Sequence, residues 1–180
     1  RDGGGSLKEL PRQIVTSAVY RQTSDNRTEA ARRDSGNQYL WRMQRRRLTA
    51  EEVRDAVLSI SGRMHQQMYG PGYDLFGFKD DHSPHYNYEQ SDPDDPRASR
   101  RTVYRFIVRS VPDPFMETLD CADPSLIVPV RNTTVTALQA LALLNNNFMV
   151  RQAAHFAERA TQAADGVPEQ IDAAYSLAVC

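Results

Sequence analysis

Between residues 80 and 95 the chain gathers groups that can ligate a cation or move a proton. Asp80-Asp81-His82-Ser83-Pro84-His85 is followed by Tyr86, Tyr88, Glu89, Asp92, Asp94 and Asp95. Carboxylates spaced as in Asp92-Pro93-Asp94-Asp95 suit hard cations such as calcium, and the imidazoles of His82 and His85 suit zinc or another transition metal. Neither spacing matches a ligand signature. Asp80, Asp81, His82 and His85 are therefore candidate metal ligands or acid/base groups, and a divalent cation is the candidate cofactor.

A structural reading stands beside the chemical one and is preferred. Asp before Ser or Pro is ordinary turn chemistry, and six acidic residues with no Lys or Arg among them need cations nearby. Arg97, Arg100, Arg101, Arg105 and Arg109 follow directly, and Arg42, Arg45, Arg46 and Arg47 lie upstream. On this reading Asp92, Asp94 and Asp95 form ion pairs with Arg101, Arg105 and Arg109, and the acidic segment is a lid over an arginine platform.

Other chemistry has less behind it. Tyr69, Tyr73, Tyr86 and Tyr88 flank the acidic segment, where their rings either stack sugars or pin a loop to the core. His65 and His155 sit in helical patterns with no second ligand four residues away, as expected of surface or core-edge residues. No G-x-S-x-G elbow is present, and Gly3-Gly4-Gly5 lacks the Lys-Ser/Thr of a phosphate loop, so residues 1–5 read as a flexible terminus.

The positioning elements are mostly helical. Ser6 and Glu9 form a capping box for a helix carrying Leu7, Leu10, Ile14 and Ala18 to about Gln22, with Pro11 near its start. The polar stretch from Ser24 to Asn37 reads as a loop. Thr49 and Glu52 make a second capping box, with Leu48 and Val53 as a hydrophobic staple. Val53, Val57, Ile60 and Met64 then share one face until Gly70-Pro71-Gly72. Between Arg101 and Ser110 the period falls to two, and the alternating segment Tyr39 to Met43 is the expected partner in a small ribbon.

Prolines 112, 114, 124 and 129 keep residues 111–131 out of regular helix or central strand. Helical spacing returns from Thr134 to Leu144, with Leu138, Leu141 and Ala142 inward, until Asn145-Asn146-Asn147 interrupts it. Met149, Ala153, Phe156 and Ala160 mark the next helix, to near Gly166, and Pro168 opens a last one with Ile171, Ala174 and Tyr175, truncated at 180. The predicted fold class is mainly α: one helical domain over 1–180 with a small two-stranded antiparallel ribbon and long irregular loops.

Composition narrows the function classes. A hydrophobic share of 40% over 180 residues supports one ordinary core, and a net charge of −1 argues against a general nucleic-acid binder. No apolar run approaches the roughly 20 residues of a membrane span, and no segment resembles a signal peptide. Arg1 at one end and Cys180 inside an apolar-periodic stretch at the other suggest a fragment of a larger protein. Cys121 and Cys180 are the only cysteines; they exclude a disulfide framework and a C-x-x-C-H haem attachment, and two unpaired thiols are preferred over one disulfide.

Several motifs, taken together, resemble a known family. They are Ile14-Val15-Thr16-Ser17 with Tyr20-Arg21-Gln22, Leu40-Trp41-Arg42-Met43, Arg46-Arg47-Leu48, Arg54-Asp55-Ala56 and Ser61-Gly62. Further along come Asp80-Asp81-His82-Ser83-Pro84, Arg101-Thr102-Val103-Tyr104-Arg105, Val111-Pro112-Asp113-Pro114-Phe115 and Thr136-Ala137-Leu138-Gln139-Ala140-Leu141. As a set they resemble the planctomycete domain of unknown function at the carboxy-terminal end of large proteins that often carry a cytochrome-c-like domain. Pro11 departs from that pattern, where His is expected.

The resemblance implies an exported, periplasmic or cell-surface protein, with haem c confined to a separate domain and other domains of the same polypeptide as partners. The preferred function is a non-catalytic scaffold or binding module. The alternative is a metal-assisted hydrolase domain acting on extracellular polysaccharide through Asp80, Asp81, His82 and His85.

Overall fold

The computed structural model describes residues 5–179, so residues 1–4 of the expected flexible terminus and the redox state of Cys180 lie outside the described residues. Among the described residues, seven α-helices and one two-stranded antiparallel ribbon are joined by long irregular segments, in agreement with the predicted class. No helix among the described residues is long and apolar enough to cross a membrane. The chain divides into two compact units, residues 1–47 and 48–180.

The first unit is held by polar contacts. Helix α1 spans Glu9–Thr16, shorter than the pattern to Gln22 predicts. Pro11 is its third residue, where a backbone N–H has no intrahelical partner to lose. The stretch read as a loop contains a second helix, α2, over Thr28–Arg33, in which Glu29 pairs with Arg32 at 3.0 Å one turn on. Asp34 follows it and accepts hydrogen bonds from the Gln38 and Tyr39 backbones at 3.0 and 2.8 Å. Trp41 lies between the guanidinium groups of Arg27 and Arg42, while its indole N–H donates to the Asp34 carbonyl at 2.8 Å.

The predicted ribbon between Tyr39–Met43 and Arg101–Ser110 does not form. Leu40 has a φ of 53°, in the left-handed region, where its carbonyl accepts from the Gln22 amide at 2.7 Å, and a strand cannot continue through it. Residues 102–104 form a short 3-10 turn instead. The ribbon that exists pairs β1, Gly77–Lys79, with β2, His85–Asn87, in the register Phe78 opposite Tyr86. Phe76 anchors it by edge-on contacts to Tyr86 and Tyr88, at centroid distances of 5.1 and 5.6 Å.

The second unit begins with α3, Ala50–Ile60, and both bonds of the Thr49–Glu52 capping box are made. The helix stops well before Gly70. Gly62 sits at φ +76° just past its end, and the Arg63 N–H closes back on the Leu58 carbonyl at 2.9 Å, the geometry of a left-handed helix stop. The inward row is Ala50, Arg54 and Leu58, four residues apart, rather than the Val53–Val57–Ile60 face.

Helix α4, Pro114–Thr118, lies inside the proline-rich connection. Asp113 caps it by accepting from the Phe115 and Met116 backbones, and Pro114 takes its first position, where no N–H is needed. Its Met116, with Ala50 and Leu119, forms the apolar core, flanked by Val53, Phe115, Cys121 and Leu143.

Helix α5, Ala137–Asn145, carries a further capping box, Thr136 with Gln139. Its inward residue is Gln139, while Leu138 and Leu141, expected inside, are 63% and 54% exposed. Asn146 closes α5 and caps α6, Asn147–Ala163, whose buried positions are Gln152 and Ala160; Ala153, expected on that face, is exposed. Gln152 accepts from the Ser61 hydroxyl at 2.8 Å, and Arg159 donates to the carbonyls of Ser59 and Ile60 at the end of α3. Helix α7, Val167–Val179, packs along α6 and leaves Ile171 and Tyr175 exposed.

The helix stop gives a direct test. Replacing Gly62 by Ala forces a side chain into the left-handed region and brings its Cβ within 3.3 Å of the Arg159 Cδ. Chemical denaturation is expected to show a loss of about 1–2 kcal/mol.

Candidate functional site

The Asp/His-rich segment is the tip of the hairpin joining β1 to β2. Asp80, Asp81, His82 and His85 are all exposed there. Asp81 accepts from the His82 backbone at 2.8 Å and lies 3.7 Å from the Lys79 ammonium. Among the described residues, no group of three or more His, Cys, Asp and Glu side chains is placed to hold a metal ion.

Beyond the ribbon the acidic residues do form ion pairs, but with other partners than the lid reading expects. Asp95 caps the short turn that follows it and pairs with Arg97 at 2.7 Å. Asp94 reaches α6, where it contacts Arg151 and meets His155 Nε2 at 2.6 Å. Asp92 accepts from the Asp94 backbone at 2.9 Å. Arg105 instead holds Asp113 at 2.9 Å in a pair whose side chains are 5% and 10% exposed, and Arg101 faces Asp55 at 4.0 Å. Arg109 is exposed with no ion pair among the described residues.

The reason lies in α3. Asp55 Oδ1 takes the backbone N–H and the hydroxyl of Thr102 at 2.7 and 2.6 Å, which commits the segment expected to be a strand to a helix side chain. Arg54, one residue earlier, is only 3% exposed. Its Nη1 donates to the Arg100 carbonyl at 3.1 Å and the Thr102 hydroxyl at 3.3 Å, and its Nη2 donates to the Ala98 carbonyl. The guanidinium also lies 5.4 Å from the ring centroids of both Tyr73 and Phe148. Burial lowers the pKa of this group, opposed by the fields of Tyr73 and Asp55.

Arg54 forms part of the wall of a cavity of about 510 Å3 within the second unit. Phe148 and Phe115, with ring centroids 6.0 Å apart, supply an aromatic wall. The Asn145-Asn146-Asn147 junction of α5 and α6 supplies amides, and Tyr88, Glu89 and Ser91 line the side nearest the ribbon. The size and the mix of apolar surface with a few polar groups are those of a small-molecule site.

Several polar lining groups already have structural partners. Tyr88 donates to the Val111 carbonyl at 2.8 Å, Asn146 Oδ1 accepts from the Phe148 backbone at 3.0 Å, and Asp113 is taken by Arg105 and the α4 backbone. The side chains of Asn145 and Asn147, exposed positions that line the cavity, have no hydrogen-bond partner among the described residues. A smaller cavity of about 110 Å3 lies on the other side of Tyr88 and Asp113 and includes Cys121. Burial, with help from Glu51, raises the pKa of that thiol, which suits a structural role rather than a nucleophile.

Of the cavity residues, Tyr88, Glu89, Ser91 and Pro93 belong to the segment singled out by chemistry. The three asparagines are visible in the sequence only as a helix interruption. Arg54 stands in the sequence within the motif Arg54-Asp55-Ala56 and four residues from both Ala50 and Leu58, but its charge argues against reading it inward.

Two measurements test this geometry. Asp113→Ala removes the cap of α4 and strands Arg105 in the interior, so thermal unfolding is expected to show a loss of about 3–5 kcal/mol. The hydrogen bond from His155, together with Arg151, holds the Asp94 carboxyl below its usual range. A carboxylate depressed in the folded state stabilises above its unfolded pKa, near 3.9, and loses that contribution as pH falls through the lower folded value. The stability difference between wild type and Asp94→Asn is therefore expected to be constant near neutrality and to shrink below about pH 4.

No curated protein and no solved structure matches the chain. A family model does match it, over residues 1–180. The chain belongs to that family, PSD1, described as protein of unknown function (DUF1553).

Proposed function

We propose that the chain is a non-catalytic binding module that seats a sugar ring in the cavity between α3, α4 and the α5–α6 junction. The observation that carries this reading is the pairing of an aromatic wall, Phe115 and Phe148, with the unpartnered amides of Asn145 and Asn147. An amide offers both a donor and an acceptor, as a sugar hydroxyl does, and the faces of the two rings suit the apolar face of a pyranose. Amides and a guanidinium bind but do not move protons at neutral pH, and of the two carboxylates that line the cavity Asp113 is committed to Arg105 and the α4 backbone while Glu89 lies at an exposed edge. These groups suit retention of a ligand better than its cleavage.

The motif resemblance supports a wider setting. The module belongs to an exported, periplasmic or cell-surface protein of planctomycete type, in which haem c is held by a separate cytochrome-c-like domain and the partners of this chain are other domains of the same polypeptide.

Calorimetric titration of neutral and acidic oligosaccharides tests the core of the reading. At least one is expected to bind, Phe148→Ala is expected to abolish the signal, and Asn147→Ala is expected to weaken it about fivefold, the worth of one neutral hydrogen bond. No binding by any sugar, or binding indifferent to Phe148→Ala, would overturn it. So would turnover of a polysaccharide that requires a divalent cation and Asp81 or His82.

A further inference from the structure

The wall of the cavity carries a positive charge that the protein leaves without a carboxylate partner. Arg54 is nearly fully buried, yet among the described residues no Asp or Glu lies within ion-pair distance of it. Its three hydrogen bonds go to two carbonyls and a hydroxyl, which are dipoles and not charges. Asp55, its neighbour in sequence, is turned to Thr102 and Arg101. Of its five N–H groups, Nε–H and one Nη2–H have no partner among the described residues. A buried cation in this state is costly unless something else meets it.

A second feature has the same sign. Helix α6 has 17 residues, and Asn146, Asn147 and Phe148 at its amino-terminal end line the same cavity. The aligned peptide dipoles place roughly half a positive charge at such an end, with backbone N–H groups directed outward. The acidic groups nearby offset this only in part: Asp55 and Asp113 favour the charged guanidinium through their fields, without touching it. Asp113 is neutralised by Arg105 and by the N–H groups of α4, and Glu89 is exposed to solvent.

From this we infer that the ligand is an acidic sugar, whose anionic substituent, the carboxylate of a uronic acid or a sulfate ester, is held by the free N–H groups of Arg54. The inference rests on the sugar-binding reading and deepens it. Arg54 then has two functions on opposite sides of one planar group. One edge of the guanidinium orders residues 98–102, and the remaining N–H groups recognise the ligand with charge-assisted hydrogen bonds.

The test uses the wild-type chain, because Arg54 variants disturb residues 98–102 as well. Calorimetric titration with a galacturonate trisaccharide, its methyl ester, a sulfated galactose trisaccharide and a neutral galactose trisaccharide separates the possibilities. The acid is expected to bind about ten- to a hundredfold more tightly than its methyl ester, the worth of hydrogen bonds to a charged group. Preference for the sulfated sugar over the neutral one, with the uronate bound weakly, also supports an anionic sugar and assigns the charge to sulfate. Equal affinity for acid, ester and neutral sugar overturns the inference while leaving the sugar-binding reading intact. Failure of all four to bind overturns both.

Discussion

A single buried guanidinium organises the second unit. Arg54 lies on the inner face of α3, and the carbonyls of Ala98 and Arg100 and the hydroxyl of Thr102 all turn to it. Without it, the Ala98 carbonyl would lack a partner in an interior setting, at a cost of about 1–3 kcal/mol, and the Arg100 carbonyl and Thr102 hydroxyl would keep only Tyr73 and Asp55. Residues 98–102 accordingly run as short turns against the helix. Next to them His65 donates to Ser99, and Tyr73 pairs with Tyr104 and Phe106, through single backbone bonds instead of a ladder. The cavity exists because this segment, α4 and the α5–α6 junction are each drawn toward α3 from a different side.

That arrangement belongs to an interior that is polar to an unusual degree. Ser61, Ser99, Arg100, Thr102, Gln139 and Gln152 are buried alongside a short list of apolar residues. They are tolerated because they have partners: Gln139 reaches Asp120 and Thr134, Gln152 reaches Ser61, and Arg100 donates to the carbonyls of Tyr69 and Pro71. The Nε atoms of Arg100 and Arg105 are buried without a partner. Specificity in such a core comes from directional bonds more than from the shape of apolar side chains.

This explains what could be read from the residues and what could not. Local signals were legible: the capping box at Thr49, the interruption at Asn145–Asn147 and the opening of α7 around Pro168 all depend on neighbours within four positions, although α1 is capped at Lys8 and not at the expected Ser6. Signals that rely on polarity marking the outside were misleading, so Leu138 and Leu141 were expected inward where Gln139 is. The alternation from Arg101 to Ser110 looked like a strand because nothing in it reveals that Asp55 and Arg54, nearly fifty residues earlier, take its polar groups. Charge counting likewise found that Asp94 and Asp95 need cations but not which ones, since Arg151 and His155 come from a helix distant in sequence. The hairpin tip keeps Asp80, Asp81, His82 and His85 close in the chain and exposed, whereas the cavity assembles residues from five separate segments.

The central claim is that Arg54 holds residues 98–102 in place and thereby forms the wall of the cavity. Amide hydrogen exchange on Arg54→Leu tests it most directly. The amides of Thr102, bonded to Asp55, and His65, bonded to Ser99, are expected to lose their protection in the variant. Wild-type protection at both amides in Arg54→Leu would contradict it.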